Sequence, residues 1–288
     1  MQPPDAPRLE RLGPYLVLRR IGHGSTGAVV LARDPRTGLE LAIKTLSLGS
    51  AFEPEALNEA RQRFTREAQA AGRLKHRGIV TILDTGEQSG LAWIAMEHLP
   101  GRDLAQHSAE GSLLPVADVV RIAARVAEAL AHAHRQGVVH RDVKPANVVV
   151  DLAADSIKLT DFGIARIGDA QRTRTGMLLG TPAYMSPEQI AGQHLDGRSD
   201  LYALGVTLFQ LLCGRLPHEA ESMAARLRQI AQQPAPDIRS LRPELPAALA
   251  GVVAQALEKR PESRFADGDR MAEALRASAD AVPGPEPA

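Results

Sequence analysis

Two kinds of hydrophobic pattern divide the chain. From Tyr15 to about Ile94, apolar residues come in short β-branched runs broken by glycine and proline: YLVLRRI from Tyr15, AVVLARD from Ala28, and LELAIKTL after the turn at Pro35 to Gly38. Runs punctuated in this way predict strands, and two more are expected near IVTILDTGE and LAWIAME. One helix is expected among them, from about Glu53 to Leu74, with Phe64, Ala68 and Ala71 on its apolar face. From Leu113 onward the period becomes helical, and Val119, Ile122, Val126 and Leu130 share one face. The change passes through Glu97-His98-Leu99-Pro100-Gly101, where proline and glycine stop regular structure. The pattern predicts a small sheet-rich lobe over about 13–97, a hinge near 97–102 and a larger helical lobe over about 103–277. Residues 1–12 and 278–288 have compositions that build no core. They read as a flexible N-terminus and a Pro/Ala-rich tail or linker.

Composition narrows the class. The 288 residues are 44% hydrophobic and 24% charged, enough apolar surface for one large domain or two compact lobes without covalent staples. The 34 basic and 34 acidic residues cancel, so no overall field steers the chain onto nucleic acid or an anionic membrane. Any anion must be gripped locally. The single cysteine, Cys213, excludes an intrachain disulfide and fits a reducing compartment. It ends the apolar run from Leu201 and reads as a small core residue. That run falls short of the roughly 20 residues a membrane span needs, so no membrane insertion is expected. The start, Met-Gln-Pro-Pro-Asp, lacks the basic and apolar regions of a secretory signal, and a cytoplasmic location is expected.

Local chemistry is concentrated in four places. Gly22-His23-Gly24-Ser25-Thr26-Gly27-Ala28-Val29 fits G-x-G-x-x-G-x-V. A dinucleotide fingerprint looks much the same, as does an ordinary glycine-rich hairpin. The former leads into a helix, whereas AVVLAR reads as a second strand. The motif is therefore expected to form a strand-turn-strand flap whose glycines let backbone N–H groups approach phosphate oxygens. Lys44 is the lone cation in its strand run. A strand lysine is ordinarily just solvated, but Glu67, beside the apolar face of the expected helix, can meet it if that helix docks on the sheet. Such a pair would hold the ammonium where it binds nucleotide phosphates.

His140-Arg141-Asp142-Val143-Lys144-Pro145-Ala146-Asn147 packs a carboxylate, an ammonium and an amide into one turn between an amphipathic helix and the apolar pair Val148-Val149. A solvated connector does not need that set. Asp161-Phe162-Gly163 follows the strand SIKLT, which brings Asn147 and Asp161 to the ends of neighbouring strands. Two hard oxygen ligands there can share a magnesium ion completed by water and phosphate oxygens. Zinc is not expected, since none of the nine histidines pairs at ligand spacing; His132 and His134 point to different helix faces.

Taken in order, the glycine loop, Lys44, Glu67, the His140 to Asn147 loop, Asp161-Phe162-Gly163 and Ser186-Pro187-Glu188 resemble a protein kinase catalytic domain. More narrowly, the chain resembles the eukaryotic-like (Hanks-type) Ser/Thr protein kinases of bacteria over roughly Tyr15 to Ala277. Lys144 two residues after Asp142 fits that subgroup, as does Gly180 to Glu188, with Ser186 where many members have alanine. The implied fold is α+β and bilobal, a small antiparallel sheet with one key helix and a larger, mainly α-helical lobe.

By this resemblance Asp142 orients a substrate hydroxyl and accepts its proton, and Lys144 supports the transferring phosphoryl group. Asn147 and Asp161 bind Mg2+, with Mn2+ as an alternative ion. ATP is expected against Ile21, Gly22, Gly24, Gly27, Val29, Ala42, Lys44, Met96, Glu97, Leu99 and Val149. Met96 stands as gatekeeper, Glu97 and Leu99 offer backbone hydrogen bonds to adenine, and Val29, Ala42 and Val149 sandwich the ring. Arg141 implies regulation by activation-loop phosphate on Thr175 first and Thr173 second. Thr181 is expected in the substrate platform, Asp200 as a brace for the catalytic loop, and Arg264 as a partner of Glu188.

The implied activity is ATP-dependent phosphorylation of Ser/Thr hydroxyls in proteins, including the chain's own activation loop, with a homodimer as one route to it. A nucleotide-binding pseudokinase scaffold is the alternative, weakened because Lys44, Asp142 and Asp161 are all kept. A small-molecule phosphotransferase is disfavoured by Ser186-Pro187-Glu188 and the long activation segment. The resemblance also admits a cytoplasmic domain of a longer membrane-anchored protein.

Overall fold

In the computed structural model, which describes residues 10–24, 27–47, 54–162 and 182–279, the alternating runs pair into one antiparallel sheet. Its strands are β1 (Arg11–Leu12), β2 (Tyr15–Gly24), β3 (Gly27–Arg33), β4 (Glu40–Ser47), β5 (Ile82–Gln88) and β6 (Leu91–Glu97), in the order β1-β2-β3-β4-β6-β5. Period-two alternation buries both faces. Leu12, Tyr15, Ala32, Leu41, Ile43, Trp93 and Ala95 pack on one side, where Tyr15 meets Trp93 edge-on at 5.8 Å. On the other side Ala42, Leu46, Ala92, Ile94 and Met96 pack with Phe64 and Ala68 of α1 (Pro54–Gly72). Each large apolar side chain so buried contributes about 1.5–3 kcal/mol, and truncating Phe64 to alanine is expected to cost about 3–5 kcal/mol.

The helical periodicity of the later sequence becomes a second unit. It begins with β7 (Arg102–Asp103) and α2 (Val116–Arg135), followed by the pair β8 (Val148–Asp151) and β9 (Ser156–Leu159). Five helices follow among the described residues: α3 (Pro187–Ile190), α4 (Gly197–Cys213), α5 (Met223–Gln232), α6 (Ala247–Ala256) and α7 (Gly268–Ala279). Helix α2 packs against α4 and α7. Helix α4 is apolar all round and correspondingly buried all round, as a central core helix must be. The Asp196 side chain caps its first turn by accepting from Arg198 N–H, and Gly214 at φ 75 ends it. A side chain at Gly214 would also lie 2.5 Å from the backbone nitrogen of Glu110. Cys213 is buried in that helix, its thiol pushed up by burial, which suits packing rather than reaction.

Among the described residues, 10–75 and 80–100 belong to one unit, and 76–79, 101–162 and 182–279 to the other. Residues 76–79 fall within the stretch read as the small lobe, yet they pack with the helical unit. His76 stacks on His132, and Leu159 N–H donates to the Gly78 carbonyl at 2.8 Å. Among the described residues no helix is long and apolar enough to cross a membrane.

Candidate active site

The loop between α2 and β8 folds around Asp142. Lys144 Nζ and Asn147 Nδ2 both donate to Asp142 Oδ2, at 2.8 and 2.9 Å, and the Asn147 amide also donates to the Asp142 carbonyl at 2.7 Å. One carboxylate oxygen is thus occupied, while Oδ1 takes no hydrogen bond from the described residues. Pro145 at the start of the short 3-10 turn Pro145–Asn147 fixes the path that returns Asn147 toward Asp142.

Asp200, in the first turn of α4 and 1% exposed, anchors this loop through its backbone. Its Oδ2 accepts the His140 N–H at 2.7 Å, its Oδ1 accepts the Arg141 N–H at 2.7 Å, and His134 Nε2 lies 2.8 Å from Oδ2. A buried carboxylate with three hydrogen-bond partners is satisfied where an isolated one would be strongly unfavourable. His140 is fully buried. Its Nδ1 accepts the Asp142 N–H, so the proton sits on Nε2, which donates to the Thr160 carbonyl at 2.7 Å. Its ring packs on Phe162 at 4.6 Å. Thr160 in turn donates to the Asn147 carbonyl from N–H, at 2.8 Å, and from Oγ1, at 3.1 Å.

Four non-glycine residues among those described have positive φ. Ser89 and Asp155 occupy hairpin turns. Arg141 (φ 68) directly precedes Asp142, and Asp161 (φ 64) is itself the second candidate carboxylate, so the strain of about 1–3 kcal/mol at each is held by surrounding bonds rather than by turn geometry. The sequence reading did not assign roles to His134, to the His140 ring or to Thr160. Apart from the His140 ring's bond from Asp142, their partners lie 13 to 66 residues away, and no local spacing signals them.

The β8–β9 pairing of Val148 with Leu159 brings Asn147 and Asp161 to one end of that hairpin. Because both N–H bonds of the Asn147 side-chain amide can be satisfied at Asp142, its side-chain Oδ1 is the atom left to meet a cation. Two hard oxygen donors suit Mg2+, which keeps several waters and takes phosphate oxygens. Among the described residues no group of three or more His, Cys, Asp or Glu side chains forms a self-contained metal cage.

On the sheet unit, Lys44 pairs in register with Val29 and Ile94 and sits between Ala42 and Leu46 on the face that α1 covers. Glu67 lies on α1 next to buried Ala68 and one turn from Phe64, so the two charges share the interface between sheet and helix. Val29, Ala42, Met96 and Leu99 belong to one apolar cluster there, while Val149 lies on β8 in the other unit. Ile21 is 36% exposed. Gly22 pairs with Val29, and Gly24 with Gly27. The Glu97 N–H donates to the Thr81 carbonyl, and its Oε1 accepts the Thr81 N–H at 2.7 Å.

Glu188 and Arg264 meet in the helical unit as a buried ion pair, with Ser199 Oγ donating to Glu188 at 2.7 Å. The Arg264 guanidinium lies 4.9 Å from the centre of the Tyr202 ring. Thr173, Thr175 and Thr181 lie outside the described residues.

A model of the protein kinase domain family matches residues 15–277. The serine/threonine-protein kinase Pkn1 of Myxococcus xanthus is 40% identical over 261 residues, covering 89% of this chain and 37% of the relative. PknJ of Mycobacterium tuberculosis is 41% identical over 271 residues, covering 92% and 45%. PrkC of Bacillus subtilis is 37% identical, covering 93% and 41%. The chain therefore spans less than half the length of these curated relatives. The solved PknI kinase domain of Mycobacterium tuberculosis has 36% identity and a TM-score of 0.74, covering 93% of this chain and 97% of that one. The shared fold is bilobal, with an antiparallel sheet lobe and a helical lobe.

Proposed function

This chain belongs to the protein kinase family, and from that premise we propose that it transfers the γ-phosphate of ATP to serine or threonine hydroxyls of proteins. The observation that carries the reading is the Asp142 carboxylate, with Oδ2 held by Lys144 and Asn147 and Oδ1 left to accept a hydroxyl proton. The substrate oxygen attacks the γ-phosphorus, the bond to the β-phosphate bridging oxygen breaks, and the hydroxyl proton passes to Asp142. Lys144, beside Asp142, offers positive charge to the transferring group. Phosphoryl transfer asks little covalent work of the protein, so positioning and electrostatics supply most of the rate. Magnesium, when bound, neutralises phosphate charge; Asn147 and Asp161 are the residues that would hold it, with Mn2+ as a substitute. Lys44, oriented by Glu67, would bind the nucleotide phosphates, and Ile21, Gly22, Gly24, Gly27, Val29, Ala42, Met96, Glu97, Leu99 and Val149 would receive the nucleoside and cover it.

Regulation is assigned to phosphate on Thr175, or on Thr173, answered by Arg141, and Thr181 to the substrate platform. The kinase domain is assigned to residues 13–277 in a reducing cytoplasm, alone or as part of a longer membrane-anchored protein, with homodimers as one means of autophosphorylation. Labelled ATP and magnesium with wild type beside Asp142→Asn test the reading. Wild type is expected to incorporate phosphate, mapped to the peptide holding Thr175, while the variant binds ATP normally and transfers none. Transfer retained by Asp142→Asn would refute the assignment.

A further inference from the structure

Helix α3 is only four residues long, yet its third residue is tied at three points. Gln189 Oε1 accepts the Ser186 N–H at 2.9 Å and Ser186 Oγ accepts the Gln189 N–H at 3.3 Å, which closes a capping box around fully buried Ser186. The other end of the same amide, Nε2, donates to the carbonyl of Arg141 at 3.1 Å. That carbonyl belongs to the peptide bond that enters Asp142. Arg141 is therefore fixed on both sides, its N–H by Asp200 and its C=O by Gln189, at the residue whose φ of 68 most needs outside support.

We propose that Gln189 is a positioning residue for phosphoryl transfer. It couples the start of α3, where the chain emerges from the segment assigned to the peptide platform, to the backbone that aims Asp142. The proposal rests on the kinase reading of Asp142. A glutamine that merely capped α3 would need only its Oε1; the Nε2 contact, 48 residues away in sequence, serves the loop. The two halves of the amide thus have separable duties, and substitution can remove one and keep the other.

Gln189→Glu is the discriminating change. Glutamate closes a capping box as well as glutamine does and suits a helix N-terminus, so the cap survives. At Arg141 it turns a donor into an acceptor facing a carbonyl, and the tie is lost. The expected result is a melting temperature near wild type, an unchanged KM for ATP and a kcat lower by about tenfold or more, as small misplacements of a reacting group produce. Amides of residues 141–147 should exchange hydrogen faster in Gln189→Glu than in wild type.

A Gln189→Glu enzyme with wild-type kcat and wild-type amide protection would overturn the proposal. So would a loss of kcat that only tracks a loss of stability in both Gln189→Glu and Gln189→Ala. If wild type itself transfers no phosphate, the kinase reading fails by that fact, and the exchange comparison still decides whether Gln189 holds the loop.

Discussion

Arg264 grips Glu188 with both prongs of its guanidinium, Nη1 to Oε1 at 2.7 Å and Nη2 to Oε2 at 2.8 Å, with side chains 0% and 5% exposed. The remaining donors are used on the carbonyls of Glu258, Lys259 and Arg198. Burial raises the Glu188 carboxyl, but the bonds from Arg264 and Ser199 outweigh it and hold the group below its ordinary range. Removing one partner strands the other in a dry site. Arg264→Ala or Glu188→Ala is expected to cost about 3–5 kcal/mol in urea unfolding, and the double variant less than the sum. Arg264→Lys should also fail, because an ammonium cannot make the two parallel bonds. Additive losses in the double-mutant cycle would contradict the pairing.

His218 offers a pH test of the same helical unit. It is 6% exposed, and burial together with the nearby Lys259 ammonium, 3.2 Å away, lowers it to about 4 from 6.5. Between those two values the unfolded chain binds a proton that the folded chain refuses, so stability falls as pH drops from 6.5 toward 4 and the term is fully present above 6.5. The size is about 3 kcal/mol at most. Gln in place of His218 keeps an acceptor for Lys259 but does not titrate. Subtracting its pH–stability curve from wild type should leave a slope confined to that window; a flat difference would show that His218 is free to protonate in the fold.

Arg141 separates stability from activity. Its φ of 68 strains any residue with a Cβ, and both bonds that fix it come from its backbone, to Asp200 and Gln189. Arg141→Gly keeps those bonds and relieves about 1 kcal/mol of strain. The melting temperature should hold or rise, whereas the gain in activity on phosphorylating the protein should disappear, because the cation that answers the phosphate is gone. Comparing phosphorylated and phosphatase-treated protein, wild type and variant, checks both halves. A variant that is still stimulated by phosphate would remove Arg141 from the switch.

These residues also mark where the sequence was legible. The strands, the helix before Leu74 and the boundary near Pro100 were readable because apolar periodicity acts within a few residues. The Asp142, Lys144 and Asn147 cluster was readable because one turn contains it. What holds that turn was readable only in part: the resemblance named Asp200 as its brace, but no local spacing points to Asp200, 60 positions from His140, or to Gln189, 48 from Arg141, because a hydrogen bond between distant segments leaves no periodic trace. Residues 76–79 were misplaced for the same reason. Ile79 continues an apolar run that alternation assigns to the sheet, but its bridge is to Leu159 in the helical unit.

The glycine motif shows the same limit, and two substitutions resolve it. Sequence alone gave Gly22 and Gly27 one shared purpose, close approach to phosphate. Neither has positive φ, so backbone freedom is not the reason for either. A Cβ on Gly27 would lie 1.8 Å from the Thr45 carbonyl oxygen, a backbone atom pinned within the sheet, where Thr45 Oγ1 also accepts the Ala28 N–H at 3.1 Å and donates to the Ala28 carbonyl at 3.0 Å. No rotamer relieves that clash. A Cβ on Gly22 would meet only Val29, at an ordinary 3.5 Å. Gly27→Ala is therefore expected to destabilise the sheet by about 1–3 kcal/mol through overpacking. Gly22→Ala should melt as wild type does and weaken nucleotide binding instead, since the space its Cβ fills is not needed by the protein. Thermal unfolding and ATP titration of the two variants decide it: equal melting temperatures would mean that Thr45 yields, and an unchanged ATP affinity in Gly22→Ala would mean that the flap does not close on phosphate there.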